Sequence, residues 1–74
     1  METRKLRLAF PINLVGTPVF YQFAAVYDIQ PNVLAADIAP ATGGWMLVSV
    51  TGLKDKIDEA VAWASSRGVS VSAA

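Results

Sequence analysis

The sequence predicts an α+β domain: a four-stranded antiparallel sheet with two helices on one face, in the order β-α-β-β-α-β. Three observations predict it. Apolar side chains alternate at a period of two in short stretches at residues 6–10, 32–39, 45–51 and 69–71, as in strands with one buried face. Between the first and second stretches, and again between the third and fourth, the apolar period lengthens to that of a helix. Between the second and third lies Gly43-Gly44, a pair that accepts the positive φ angles of a hairpin.

In the first strand Leu6, Leu8 and Phe10 alternate with Lys5, Arg7 and Ala9, until Pro11, Asn13 and Gly16 break the pattern. Thr17 then reads as an N-cap with Pro18 at the first helical position, where its missing N–H costs nothing. On a helical wheel Val19, Phe20, Phe23, Val26 and Tyr27 form the core stripe, with Tyr21, Ala25 and Asp28 opposite. Pro31 cannot continue that helix and biases Gln30 to extended geometry. From residue 32 the alternation puts Asn32, Leu34, Ala36 and Ile38 on one face and Val33, Ala35, Asp37 and Ala39 on the other. Residues 40–44, from Pro40 to Gly44, are turn chemistry. On the returning strand Met46, Val48 and Val50 alternate with Trp45, Leu47, Ser49 and Thr51.

Gly52 opens the second helix in this reading, and Asp55, Asp58 and Glu59 in its first turns suit the positive end of the dipole. Ile57, Ala60, Val61 and Ala64 form its apolar stripe, Arg67 sits in the last turn and Gly68 caps it. Val69 and Val71 give a last short strand. This is the split-βαβ, ferredoxin-like arrangement, and right-handed crossovers set the strand order 4-1-3-2. The inner face is expected to carry Leu6, Leu8, Phe10, Leu34, Ile38, Met46, Val48, Val50, Val69 and Val71. The outer face then carries Lys5, Arg7, Ser70 and Ser72 on one half, and Val33, Ala35, Trp45 and Leu47 on the other. An open face that is polar on one half and apolar on the other marks an interaction surface. The second strand is also an edge whose only charge is Asp37, so it is ready to pair.

Composition narrows the function. Residues 1–74 make one domain, and a fold of this size buries only about 60–65% of the surface its unfolded chain exposes. Disulfides and His-based metal sites are excluded because Cys and His are absent, so self-association is the expected source of further burial. The formal net charge is zero and 16% of residues are charged, which is not the basic footprint of a nucleic-acid binder. Arg4, Lys5 and Arg7 read as a solvated edge. The apolar runs are only a few residues long and no signal-peptide pattern is present, so a cytoplasmic location without membrane insertion is expected. No phosphate-binding loop occurs, and Asp55 with Asp58 or Glu59 is better explained by the helix dipole than by a cation. No catalytic residue, cofactor or metal is therefore expected, and the chain is not read as an enzyme.

A few residues remain. Asn32 opens a strand directly after a helix and Pro31. It is either a turn residue bonded to nearby backbone or a ligand contact, since one amide can both donate to a carboxylate and accept from an ammonium. Trp45 is either open-face packing or the wall of a pocket. Trp63 reads as half-buried packing beside Lys56, and Tyr21 as an exposed contact.

From about Lys5 to Val71 the chain resembles the NIL domain. The residues that carry the resemblance are Leu6-Arg7-Leu8-Ala9-Phe10, Pro18-Val19, Phe23, Tyr27, Asn32-Val33-Leu34, Gly44-Trp45-Met46-Leu47, Gly52, and Ala60-Val61-Ala62-Trp63 with Gly68-Val69. The family motif is Asn-Ile-Leu, and here its middle residue is Val33. The resemblance implies a regulatory, ACT-like role in sulfur amino-acid metabolism. In the family the domain ends the ATPase subunit of methionine importers and binds methionine between paired domains; in other members it precedes a ferredoxin unit. Carried over by position, it implies Asn32 as the ligand contact with Leu34 and Met46 as weaker ones; Val33, Ala35, Trp45 and Leu47, on the open face by alternation, are the expected interface.

Two functional readings follow. In the first the chain is a non-catalytic homodimeric module that binds methionine or a related sulfur compound. In the second it is a ligand-free module that docks through its open sheet face onto a sulfur-metabolism, transporter or ferredoxin partner.

Overall fold

A computed structural model describes residues 1–39 and 41–74. The elements are β1 (Glu2–Phe10), a 3-10 turn (Ile12–Leu14), α1 (Val19–Ala25), β2 (Gln30–Ala39), β3 (Gly43–Gly52), α2 (Lys54–Ser66) and β4 (Ser70–Ala73). The sheet order is β2-β3-β1-β4, and every neighbouring pair is antiparallel. This is the expected ferredoxin-like α+β fold. Pro40, placed in the hairpin turn by the sequence, lies outside the described residues.

The core forms where the two central strands meet both helices. Leu6 and Leu8 of β1 and Met46, Val48 and Val50 of β3 lie against Phe23 of α1 and Ile57, Ala60 and Ala64 of α2, all buried. Phe10 and Val71 pack against this cluster and are partly buried. Leu34 and Ile38 depart from expectation: they are 46% and 48% exposed. Both lie on β2, an outer strand with one neighbour in the sheet, whereas the buried core lies over β1 and β3; Leu34 is also displaced where the β2–β3 register shifts.

The helix ends also differ from expectation. Thr17 does not cap α1, because its hydroxyl donates to the Leu14 carbonyl at 2.6 Å within the preceding turn. Pro18 holds the N-cap position, and its carbonyl accepts from Gln22 N–H at 3.0 Å. The helix stops at Ala25; Val26, expected on the core stripe, holds the C-cap with its N–H on the Gln22 carbonyl and is 68% exposed. Asp28 adopts a left-handed φ of 54°, and Ile29 N–H closes back onto the Ala24 carbonyl at 3.2 Å. Gly52 ends β3 and does not open α2; Leu53 holds the N-cap position. Gly68 caps α2 as expected, with φ of 101°. Its N–H bonds the Ser65 carbonyl and Val69 N–H bonds the Ala64 carbonyl, the paired bonds of a Schellman ending.

A small ion network ties β1 to α2. Asp58 accepts from Lys54, one turn earlier, and from Arg4, each at 2.9 Å, and Arg4 also holds Glu2 at 2.6 Å. The Lys54 ammonium, and after it the Arg4 guanidinium, hold the Asp58 carboxyl below its ordinary value.

Candidate functional site

The site is built on β2, the outer strand, whose one neighbour in the sheet is β3. Gln30 and Pro31 begin the strand, and an edge tolerates the missing N–H of Pro31. The register runs Asn32 opposite Ser49 and Val33 opposite Val48, then shifts so that Ala35 lies opposite Leu47 and Ala36 opposite Met46. Leu34 is the extra residue of a β-bulge. Such a bulge re-aims the side chains on one side of it relative to the other.

The bulge decides which face each candidate residue occupies. Partners directly opposite share a face. Val48 and Met46 are buried on the helix side, so Val33, Ala36 and Ile38 belong to that side, and Asn32, Ala35 and Asp37 to the open side. The sequence assignments of Val33 to the open face and of Asn32 to the face of Ile38 are therefore corrected, because the strand carries one extra residue and the alternation is broken at Leu34. Ala35, Trp45 and Leu47 lie on the open face as expected, each partly buried.

Among the described residues the Asn32 side chain is exposed and makes no hydrogen bond to backbone or side chain. The turn reading of Asn32 predicts such a bond. Val33 (47% exposed), Leu34 and Ile38 make the same strand apolar. Met46 is buried, but it lines a small apolar cavity of about 80 Å3 with Phe10, Leu14, Val19, Phe20 and Ile38. This cavity opens on the helix side of the edge. Asn32 and the Met46 cavity are thus not brought together within one copy. Ile38 was not singled out as a site residue; its alignment with Gly44 across the hairpin, where the partner has no side chain to cover it, is the signal that marks it.

The opposite face carries a second concavity, of about 340 Å3, at the hairpin end of the sheet. Arg7, Asp37 and Trp45 line it, and the Arg7 guanidinium lies 5.5 Å from the centroid of the Trp45 ring. Trp63 packs on the helix side, tilted against Tyr27 at 6.2 Å and covered by Arg67 at 5.4 Å, apart from both cavities.

Fold and edge together define a small ferredoxin-like α+β domain with one uncovered sheet face and a long outer strand, β2, open along one side. The chain belongs to the NIL domain family, whose model matches residues 4–73. It is 29% identical over 69 residues to the methionine import ATP-binding protein MetN of Coxiella burnetii (strain RSA 493 / Nine Mile phase I). That match covers 89% of this chain and 20% of the relative, so the chain spans about a fifth of the relative's length. The fold is also that of the crystal structure of the C-terminal domain of an ABC transporter/ATP-binding protein from Enterococcus faecalis. The TM-score is 0.82 at 15% identity, covering 95% of this chain and 81% of the other. No helix among the described residues is long and apolar enough to cross a membrane.

Proposed function

We propose that this chain is a non-catalytic regulatory domain that binds methionine, or a related sulfur amino acid, between two copies paired along β2. One observation carries the reading: a bulged, apolar edge strand presents an amide, that of Asn32, that makes no hydrogen bond within the described chain. A thioether needs a polarizable apolar slot, and the Met46–Ile38 cavity is one. A zwitterion needs a few fixed polar groups, and Asn32 with the edge backbone supplies them. Amide and slot lie on either side of the β2 edge, and a second copy paired along that edge closes the space between them. Binding and pairing then reinforce each other by linkage. The similarity to MetN supports methionine as the ligand and the cytoplasmic ATPase of an importer as the setting.

The open face favours a second reading, a protein-docking module without a ligand, because Trp45 and Leu47 leave apolar surface there only partly covered. Thermal unfolding with L-methionine, D-methionine and homocysteine, with Asn32→Ala alongside, separates the two. A ligand at about 100 times its dissociation constant adds about 2.7 kcal/mol. The sensing reading expects a stereoselective upward shift that Asn32→Ala abolishes; the docking reading expects no shift.

A further inference from the structure

We propose that the concavity at the hairpin end of the open face is a separate site for a small zwitterion, of the aminocarboxylate class. It is made by three strands. Asp37 of β2 and Ala9 of β1 both lie opposite Trp45 of β3, and Arg7 lies opposite Leu47, one step along the same face. Arg7 reaches diagonally and lays its guanidinium over the indole at 5.5 Å. Asp37 flanks Trp45 on the neighbouring strand and lines the same concavity. Phe10, Thr42 and Gly44 complete the wall.

The charges are the argument. Among the described residues Lys5, Arg7, Arg67, Asp28, Asp37 and Asp55 are in no ion pair, and of these Arg7 and Asp37 alone share a concavity. A cation and an anion therefore face one concavity across an aromatic surface without neutralising each other. The molecule complementary to them carries a carboxylate at one end and an ammonium at the other. The guanidinium fork matches a carboxylate, Asp37 accepts from an ammonium, and the indole supports the carbon chain between them. A volume of about 340 Å3 suits so small a ligand. The Met46 cavity opens on the other face of the sheet, and this site uses neither Asn32 nor a second copy. It stands or falls independently of the sensing function above.

The test follows the two indole N–H resonances of 15N-labelled protein, assigned with Trp45→Phe, during titration with 4-aminobutyrate, butyrate and butylamine. 4-Aminobutyrate shifts the Trp45 signal saturably and leaves Trp63 in place. Butyrate and butylamine, each missing one charge-assisted contact, bind about tenfold more weakly or worse. Asp37→Asn lowers 4-aminobutyrate to the level of butyrate, Arg7→Gln removes both carboxylates, and Asn32→Ala changes nothing. Butyrate binding as tightly as 4-aminobutyrate, or no saturable Trp45 shift with any probe in the millimolar range, overturns the proposal.

Discussion

Asn32 and Met46 stand on opposite faces of the sheet: Asn32 aligns with Ser49 on the open side, and Met46 is buried on the helix side. The two residues proposed above for one ligand therefore lie on either side of the β2 edge.

Both sides of the edge should matter. Asn32→Ala and Ile38→Lys should each abolish the methionine-dependent rise in melting temperature, and calorimetric titration of either variant should show no binding of L-methionine.

The hairpin depends on close backbone approach. A Cβ at Gly44 would meet the Ile38 Cα at 2.8 Å and the Asp37 carbonyl at 2.9 Å, both of them backbone atoms unable to move aside. Gly44→Ala should cost about 1–3 kcal/mol in urea unfolding, typical of forced overpacking. It should also displace Asp37 and so disturb the Trp45 indole resonance.

Core and surface should separate on α1. Phe23 is 1% exposed and Val26 is 68% exposed. Phe23→Ala should cost about 3–5 kcal/mol, and Val26→Ala should fall within about 0.5 kcal/mol of wild type.

The acid limb of stability should contain a contribution from Asp58. Its carboxyl is held below its ordinary value in the folded chain by Lys54 and then Arg4. Between the folded and unfolded values the unfolded chain binds more protons, so stability rises with pH there. The contribution is complete above the unfolded value and is lost as pH falls through the folded one. Asp58→Asn should flatten this limb in unfolding measured from pH 2 to pH 6, a window set by the usual carboxylate range. Added salt should weaken the difference, because Lys54 and Asp58 are exposed and Arg4 is only half-buried.

Much of this fold is legible in the sequence. The alternation of Leu6 with Leu8 and of Met46, Val48 and Val50, and the Gly68 cap, follow from local rules that tertiary structure leaves intact. The β2 faces do not. A bulge at Leu34 has no signature in an apolar run where Val33, Leu34, Ala35 and Ala36 fit either face, so alternation misplaces Val33. Thr17 is misread because a 3-10 turn competes for its hydroxyl, and Val26 because it lies at the end of a short helix, on the margin of the Phe23 stripe, where it stays exposed. Of the candidate site, the edge and Asn32 are visible in the sequence. The charge pair around Trp45 is not, because Arg7 and Asp37 meet only through two strand registers.

The central claim is that ligand and pairing share one site on β2, and sedimentation velocity with and without L-methionine tests it most directly. Wild-type protein should shift from monomer toward dimer on adding L-methionine, and Asn32→Ala should not. A sedimentation profile unmoved by saturating L-methionine, or an equal shift in Asn32→Ala, would contradict it.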